Sequence, residues 1–197
     1  MELNITSQTT YLGITYLAGP TNVPEYIGQA MVAAGLATLL VKQTPIPSGL
    51  TVLARAGAPS AALTGSTTET VIASVTIPAG ALKNAALRLD TQWSHTNNAN
   101  NKTLKMTIGG QTVFSVVQTT TASTSDLRTI SNPGTGDVQR GPNASATGAT
   151  AFGGATGATL ALTLDTDSPL VIEFRGQLAN AADSITLEDY VVEIVKG

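Results

Sequence analysis

The chain has 197 residues and a formal net charge of −3, with Lys and Arg scattered singly, so a basic nucleic-acid face is not expected. It has no cysteine, which excludes disulfides and thiolate metal centres. No apolar run approaches the ~20 residues of a membrane-crossing helix, and Met1–Asn4 starts no basic-then-apolar leader, so neither a membrane partner nor a signal peptide is expected. Charged residues make up only 12%, where about 25% is usual, and Thr, Ser, Ala, Gly and Asn replace them. Neutral faces of that kind suit packing into an assembly.

Residues 1–45 differ from the rest. Leu3 and Ile5, then Tyr11, Leu12, Ile14, Tyr16 and Leu17, predict short strands. After Ala18-Gly19-Pro20 comes a helix signal: Thr21 or Asn22 as cap, Pro24 near the first helical position and Glu25 in the first turn. Tyr26, Ile27, Ala30, Met31 and Ala34 form one apolar stripe, and Gly35 is suited to end the helix. Leu36–Val41 predicts one more strand. A unit of about 45 residues barely sustains its own core, so it is expected to lean on something else. Either it packs on the rest of the chain or it docks onto another protein. Three of the four Tyr lie here, and Tyr is favoured at interfaces. Pro45, Pro47 and Ser48-Gly49 mark a linker.

From residue 50 strand signals follow one another: 51–55, 69–77, 85–95, 102–108, 112–119, 127–130, 160–164, 170–178 and 184–196. In 85–110, Leu87, Leu89, Thr91 and Trp93 share one parity, and Leu104, Met106 and Ile108 share another. The pattern predicts a hairpin whose turn is the polar run Thr96–Asn101, with Trp93 as core anchor. In the last strand Ile185 and Leu187 conflict in parity with Tyr190, Val192 and Ile194, which a bulge near Glu188-Asp189 would reconcile. Residues 134–157 carry almost no large side chain except Phe152. They are expected to form a flap or an extended segment pinned between subunits. The fold class expected is mainly β: an antiparallel, jelly-roll-like β-sandwich over 46–197, with a small α+β unit over 1–45.

Signals of chemistry are weak. His95 is the sole histidine, and the chain has neither a G-x-S-x-G elbow nor a thiol, so a structural role is expected of it. Asp165-Thr166-Asp167 lacks the further ligands of a calcium loop. Asp183, Glu188 and Asp189 form a loose acidic group without the opposed geometry a glycosidase needs. No enzyme activity, metal or cofactor is expected. Strand 113–119 has neither Lys nor Pro to protect it as a sheet edge, so self-association is expected there. Phe114, Val116 and Val117 are the candidate subunit contacts, with Phe152 from the small-residue stretch beside them.

Several segments resemble a β domain of structural proteins of tailed bacteriophages. They are Thr68-Glu69-Thr70 leading to Val75–Leu82, Trp93–Leu104, and Gly176–Asn180 before Ile185–Glu188. Val23–Leu39 is similar to the small N-terminal unit of some phage head-associated proteins. The resemblance implies a virion protein without catalytic residues: a trimeric capsid decoration protein, of the cement or head-fibre kind. Its N-terminal unit would bind the major capsid protein or another virion protein. Tyr11, Tyr16, Tyr26, Ile27 and Met31 are the candidate anchoring residues. The alternative is a tail-associated module that recognises a host surface glycan. Such a site would want exposed aromatics, which this chain has few of.

Overall fold

A computed structural model describes residues 49–134, 137–145 and 158–196, and near the N-terminus 2–5, 9–11, 14–16, 19–22, 31–32, 34–35 and 37–39. The chain divides into two compact units, Met1–Pro45 and Ile46–Gly197.

In the first unit β1 (Glu2–Ile5) lies between β4 (Gly19–Asn22) and β5 (Ala37–Leu39), antiparallel to both. Strands β2 (Thr9–Tyr11) and β3 (Ile14–Tyr16) form a separate hairpin. Ile5 and Met31 are buried. The expected helix falls mostly outside the described residues. Its last part is present at 31–32, and Gly35 closes it with φ 70 and a bond from its N–H to Val32 O. A left-handed residue after the last turn is the position where Gly carries no Cβ penalty.

The second unit is a sandwich of two antiparallel sheets packed face to face. One sheet runs β10 (Gln111–Gln118), β9 (Lys102–Ile108), β14 (Leu170–Leu178), β7 (Thr70–Ile77). The other runs β13 (Leu160–Leu162), β12 (Gln139–Gly141), β11 (Ser123–Asn132), β8 (Ala85–His95), β15 (Ile185–Lys196), β6 (Gly49–Arg55). The pairs are nested: β9 with β10, β8 with β11, β7 with β14 and β6 with β15. One long hairpin rolled so that successive strands change sheets is jelly-roll connectivity.

That topology corrects the expected hairpin at 85–110. β8 pairs with β11 and β15, while β9 pairs with β10 and β14. The run 96–101 therefore crosses from one sheet to the other. The innermost hairpin is β9–β10, where Gly109 (φ 53) and Gly110 (φ 78) form the two-residue turn between Ile108 and Gln111. Positive φ at both turn residues matches the twist of the flanking strands and favours Gly-Gly.

The inward parity of β8 is as expected: Leu87, Leu89, Thr91, Trp93 and His95 are buried, and Arg88, Gln92 and Ser94 are not. From the facing sheet Leu104, Met106, Ile108, Phe114, Ile172 and Phe174 complete the core. The register of β15 against β8 shifts between Leu187 and Asp189, so both parities of the last strand reach the core. Beyond β6, residues 56–65 cover the edge of β15: Ala56, Ser60, Leu63 and Gly65 donate backbone bonds to Tyr190, Leu187, Ile185 and Ala181.

Candidate functional site

Among the described residues, polar groups gather at three places in the sandwich unit. The first is where 96–101 crosses between the sheets. Lys102 has the inward parity of Leu104 and Met106, and its ammonium cannot reach water, being fully buried. It donates instead to Asn98 O (3.1 Å), Asn98 Oδ1 (2.9 Å), Asn100 O (2.7 Å) and Thr119 O (2.9 Å). The same two asparagines donate to the buried Asp183, Asn98 Nδ2 to Oδ1 at 2.5 Å and Asn100 Nδ2 to Oδ2 at 3.0 Å. A buried charge needs such partners. Lys102 and Asp183 are thus joined through Asn98, whose side chain bonds both, and through Asn100, whose backbone carbonyl accepts from Lys102 while its side chain donates to Asp183, and together they fix the crossing. His95 lies next to this plug, with Nε2 3.1 Å from Thr124 Oγ1. Burial, then the positive charge of Lys102, holds its pKa below the ordinary value, so the ring is neutral at pH 7.

The second place is the inward face of β11, which is polar: Thr124, Asp126, Arg128 and Asn132 surround Ile130. Asp126 and Arg128 form a buried bidentate pair, with Nε to Oδ2 at 3.0 Å and Nη2 to Oδ1 at 3.1 Å. Burial pushes the Asp126 carboxyl above its usual range, although Arg128 pulls it the other way. The Arg128 guanidinium also lies 5.1 Å from the Phe114 ring centroid, a cation–π contact.

The third place is the outer face of the four-stranded sheet. Glu69 accepts from Lys105 (3.2 Å) and from Arg175 (2.9 Å), and Arg175 also binds Glu173 (2.8 Å). Burial pushes the Glu69 carboxyl up, but Lys105 and Arg175 outweigh it and hold it below the usual range. Arg175 does the same for Glu173. Every charge here has an opposite neighbour, which is how a sheet face is stabilised and not how an acid–base pair is set apart.

Asp165 forms a turn, accepting from Asp167 N (3.0 Å) and Ser168 Oγ (2.7 Å), and Asp167 pairs with Lys83. Asp183, Glu188 and Asp189 have different partners: Asp183 belongs to the plug, Glu188 accepts from Ser94 Oγ and Asp189 sits 3.9 Å from Arg55. Among the described residues no group of three or more His, Asp or Glu could hold a metal ion. A depression of about 350 Å³ lies beside Asn132, Pro133, Gly134, Val138 and Arg140.

The expected contact residues divide. β10 is indeed an outer strand of its sheet. Phe114 and Val116 nevertheless point into the chain's own core, at 0% and 9% exposure, so they are not available to a second subunit. The bulge between Thr112 and Phe114 sets this parity. Val117 faces outward at 53% exposure. Met31 is also buried within the chain and is no outward anchor as it stands. Tyr11 and Tyr16 lie on β2 and β3, with side chains outside the described residues, as are Tyr26, Ile27 and Phe152.

Sequence reasoning passed over Lys102, Asp126 and Arg128. For Lys102 the signal was present, since it continues the parity of Leu104, Met106 and Ile108. For β11 it was not, because Leu127 and Ile130 have opposite parity and point to opposite faces. Compared with known proteins, the chain matches no family model, no curated protein and no solved structure.

Proposed function

We propose that the chain is a non-enzymatic structural protein of a tailed-bacteriophage particle, a trimeric capsid decoration protein. In this reading its N-terminal unit contacts the major capsid protein and its β-sandwich is displayed outward. One observation carries the reading. Among the described residues, the sandwich's buried Lys, Arg and Asp side chains, Lys102, Asp126, Arg128 and Asp183, are each tied to partners that brace strands and crossings. None of them is set apart as an acid or base at an open cleft. A low-charge sandwich braced from within suits a component that holds a position in an assembly. The described aromatics fit the same use: Trp93, Phe114 and Phe174 are interior, and Tyr190 stacks on Phe174 at 4.9 Å.

The test uses particles from a genome with this gene deleted. Purified full-length chain is added, and the particles are sedimented and imaged by cryo-electron microscopy. Saturable density on the head shell, three copies per site, is the expected result. Density on the tail, or no binding at any protein concentration, rejects the reading. A chain of residues 46–197 is expected to stay in the supernatant.

A further inference from the structure

An outer strand presents free backbone donors to any other strand, including one from a second copy. Among the described residues, that free side of β10 is covered from within the chain at two points. At its start Gln111 and the Thr163 backbone exchange a reciprocal pair, Gln111 Nε2 to Thr163 O at 3.1 Å and Thr163 N to Gln111 Oε1 at 3.3 Å. In its middle the Ser115 amide donates to Ala144 O at 2.8 Å. Past this point Val117 is open.

The segment that carries Ala144 is held by Arg128. Nη1 donates to Pro142 O at 3.2 Å and to Asn143 O at 3.0 Å, while the other guanidinium nitrogens hold Asp126 and the plane lies over Phe114 of β10. One rigid fork thus ties β11, β10 and residues 142–143 together. The far end of the segment is shaped by Asn143, whose Oδ1 accepts from Ser145 N (2.9 Å) and whose Nδ2 donates to Ala158 O (3.0 Å). The entry requires a close approach: a Cβ on Gly141 would stand 2.6 Å from Ile130 Cδ1. A buried ion pair adds little net stability over apolar residues of the same shape, but it does impose a geometry.

We propose that Pro142–Ser145 is a built-in guard on the β10 edge, locked by Arg128, and that its release opens the edge to β10 of a second copy. The guard and the second copy compete for the Ser115 amide. Self-association through this edge then requires the guard to leave. The inference holds for any function of the chain and does not rest on the virion reading.

The test uses the full chain and two variants. Arg128→Lys keeps the charge but loses the fork. Asn143→Ala loosens the guard at its other end with the ion pair intact, and decides the matter if Arg128→Lys does not fold. Amide hydrogen exchange is followed by NMR at Ser115 and, as an interior reference, Met106; mass is followed by light scattering over a concentration series. The expected result is exchange at Ser115 at least tenfold faster, Met106 unchanged, and mass rising with concentration above that of the unmodified chain. Unchanged protection of Ser115 in a folded variant overturns the proposal. So does an opened Ser115 without a gain in mass. Concentration-dependent protection of Val117 in the unmodified chain overturns it as well, because the edge would already be in use.

Discussion

Replacing Trp93 tests the centre of the sandwich. The residue is 1% exposed on β8, paired with Leu187 of β15 and Thr124 of β11. Its ring reaches across the core to Phe174 of the other sheet, 6.5 Å between centroids. Burying an indole removes about 150–250 Å² from water, which at about 25 cal/mol per Å² is about 4–6 kcal/mol. Against this, Nε1 is buried with no hydrogen-bond partner among the described residues, a cost of about 1–3 kcal/mol. The cavity left by truncation adds to the loss. Trp93→Ala is therefore expected to destabilise by about 3–5 kcal/mol. Trp93→Phe, which keeps a ring and removes the orphaned N–H, is expected to stay within about 1.5 kcal/mol. Urea unfolding followed by far-ultraviolet circular dichroism measures both, since the variants lose the only Trp. At a slope of about 2 kcal/mol per M the alanine variant shifts the midpoint by about 2 M. A shift under about 0.5 M refutes the buried placement. A phenylalanine variant as damaged as the alanine one refutes the argument from the unpaired N–H.

Lys102→Met leaves the carbonyls of Asn98, Asn100 and Thr119 without their donor; a loss of about 2–4 kcal/mol is expected in the same assay, and an unchanged midpoint shows that the crossing does not need the ammonium. Stability is expected to fall as pH drops below about 6.5, because the unfolded His95 binds a proton there while the folded ring, its pKa lowered, resists it. The slope should not exceed about 1.4 kcal/mol per pH unit, and it should vanish between pH 6.5 and 5 in His95→Gln; a slope that survives the substitution assigns it elsewhere. Residues 46–197 alone are expected to unfold with the midpoint the unit has in the full chain, since they form a compact unit of their own; a midpoint lower by more than about 1 M refutes their independence.

The alternation of β8 and of β9 was legible because period two leaves only one way to face a core. The bulge in β15 was legible for the same reason: Leu187 and Val192 are both buried, which a regular strand does not allow. The polar inner face of β11 was not legible. Asp126 and Arg128 sit where alternation calls for apolar residues, and their mutual pairing, the carbonyls of 142–143 and the Phe114 ring help make the position tolerable. Phe114 and Val116 share one parity of β10 and Val117 the other, so the three expected contacts could not all face outward; which parity is wet is decided by the packing after the bulge at Thr112, which turns Phe114 and Val116 inward.

What the sequence by itself determined is the strand content, the inward side chains of the regular strands and the punctuation at Gly109-Gly110. These depend on local periodicity and on turn residues, which act over a few positions. What only the tertiary structure decided is which strands pair. A hairpin at 85–110 and a crossing between sheets satisfy the same alternation equally well. The choice falls to contacts between residues about 100 positions apart, such as Leu87 with Ile194, and to the buried Lys102 that pins the crossing run to Thr119. Long-range burial and the need to satisfy buried charges settle pairing, and neither is written in any one stretch of the chain.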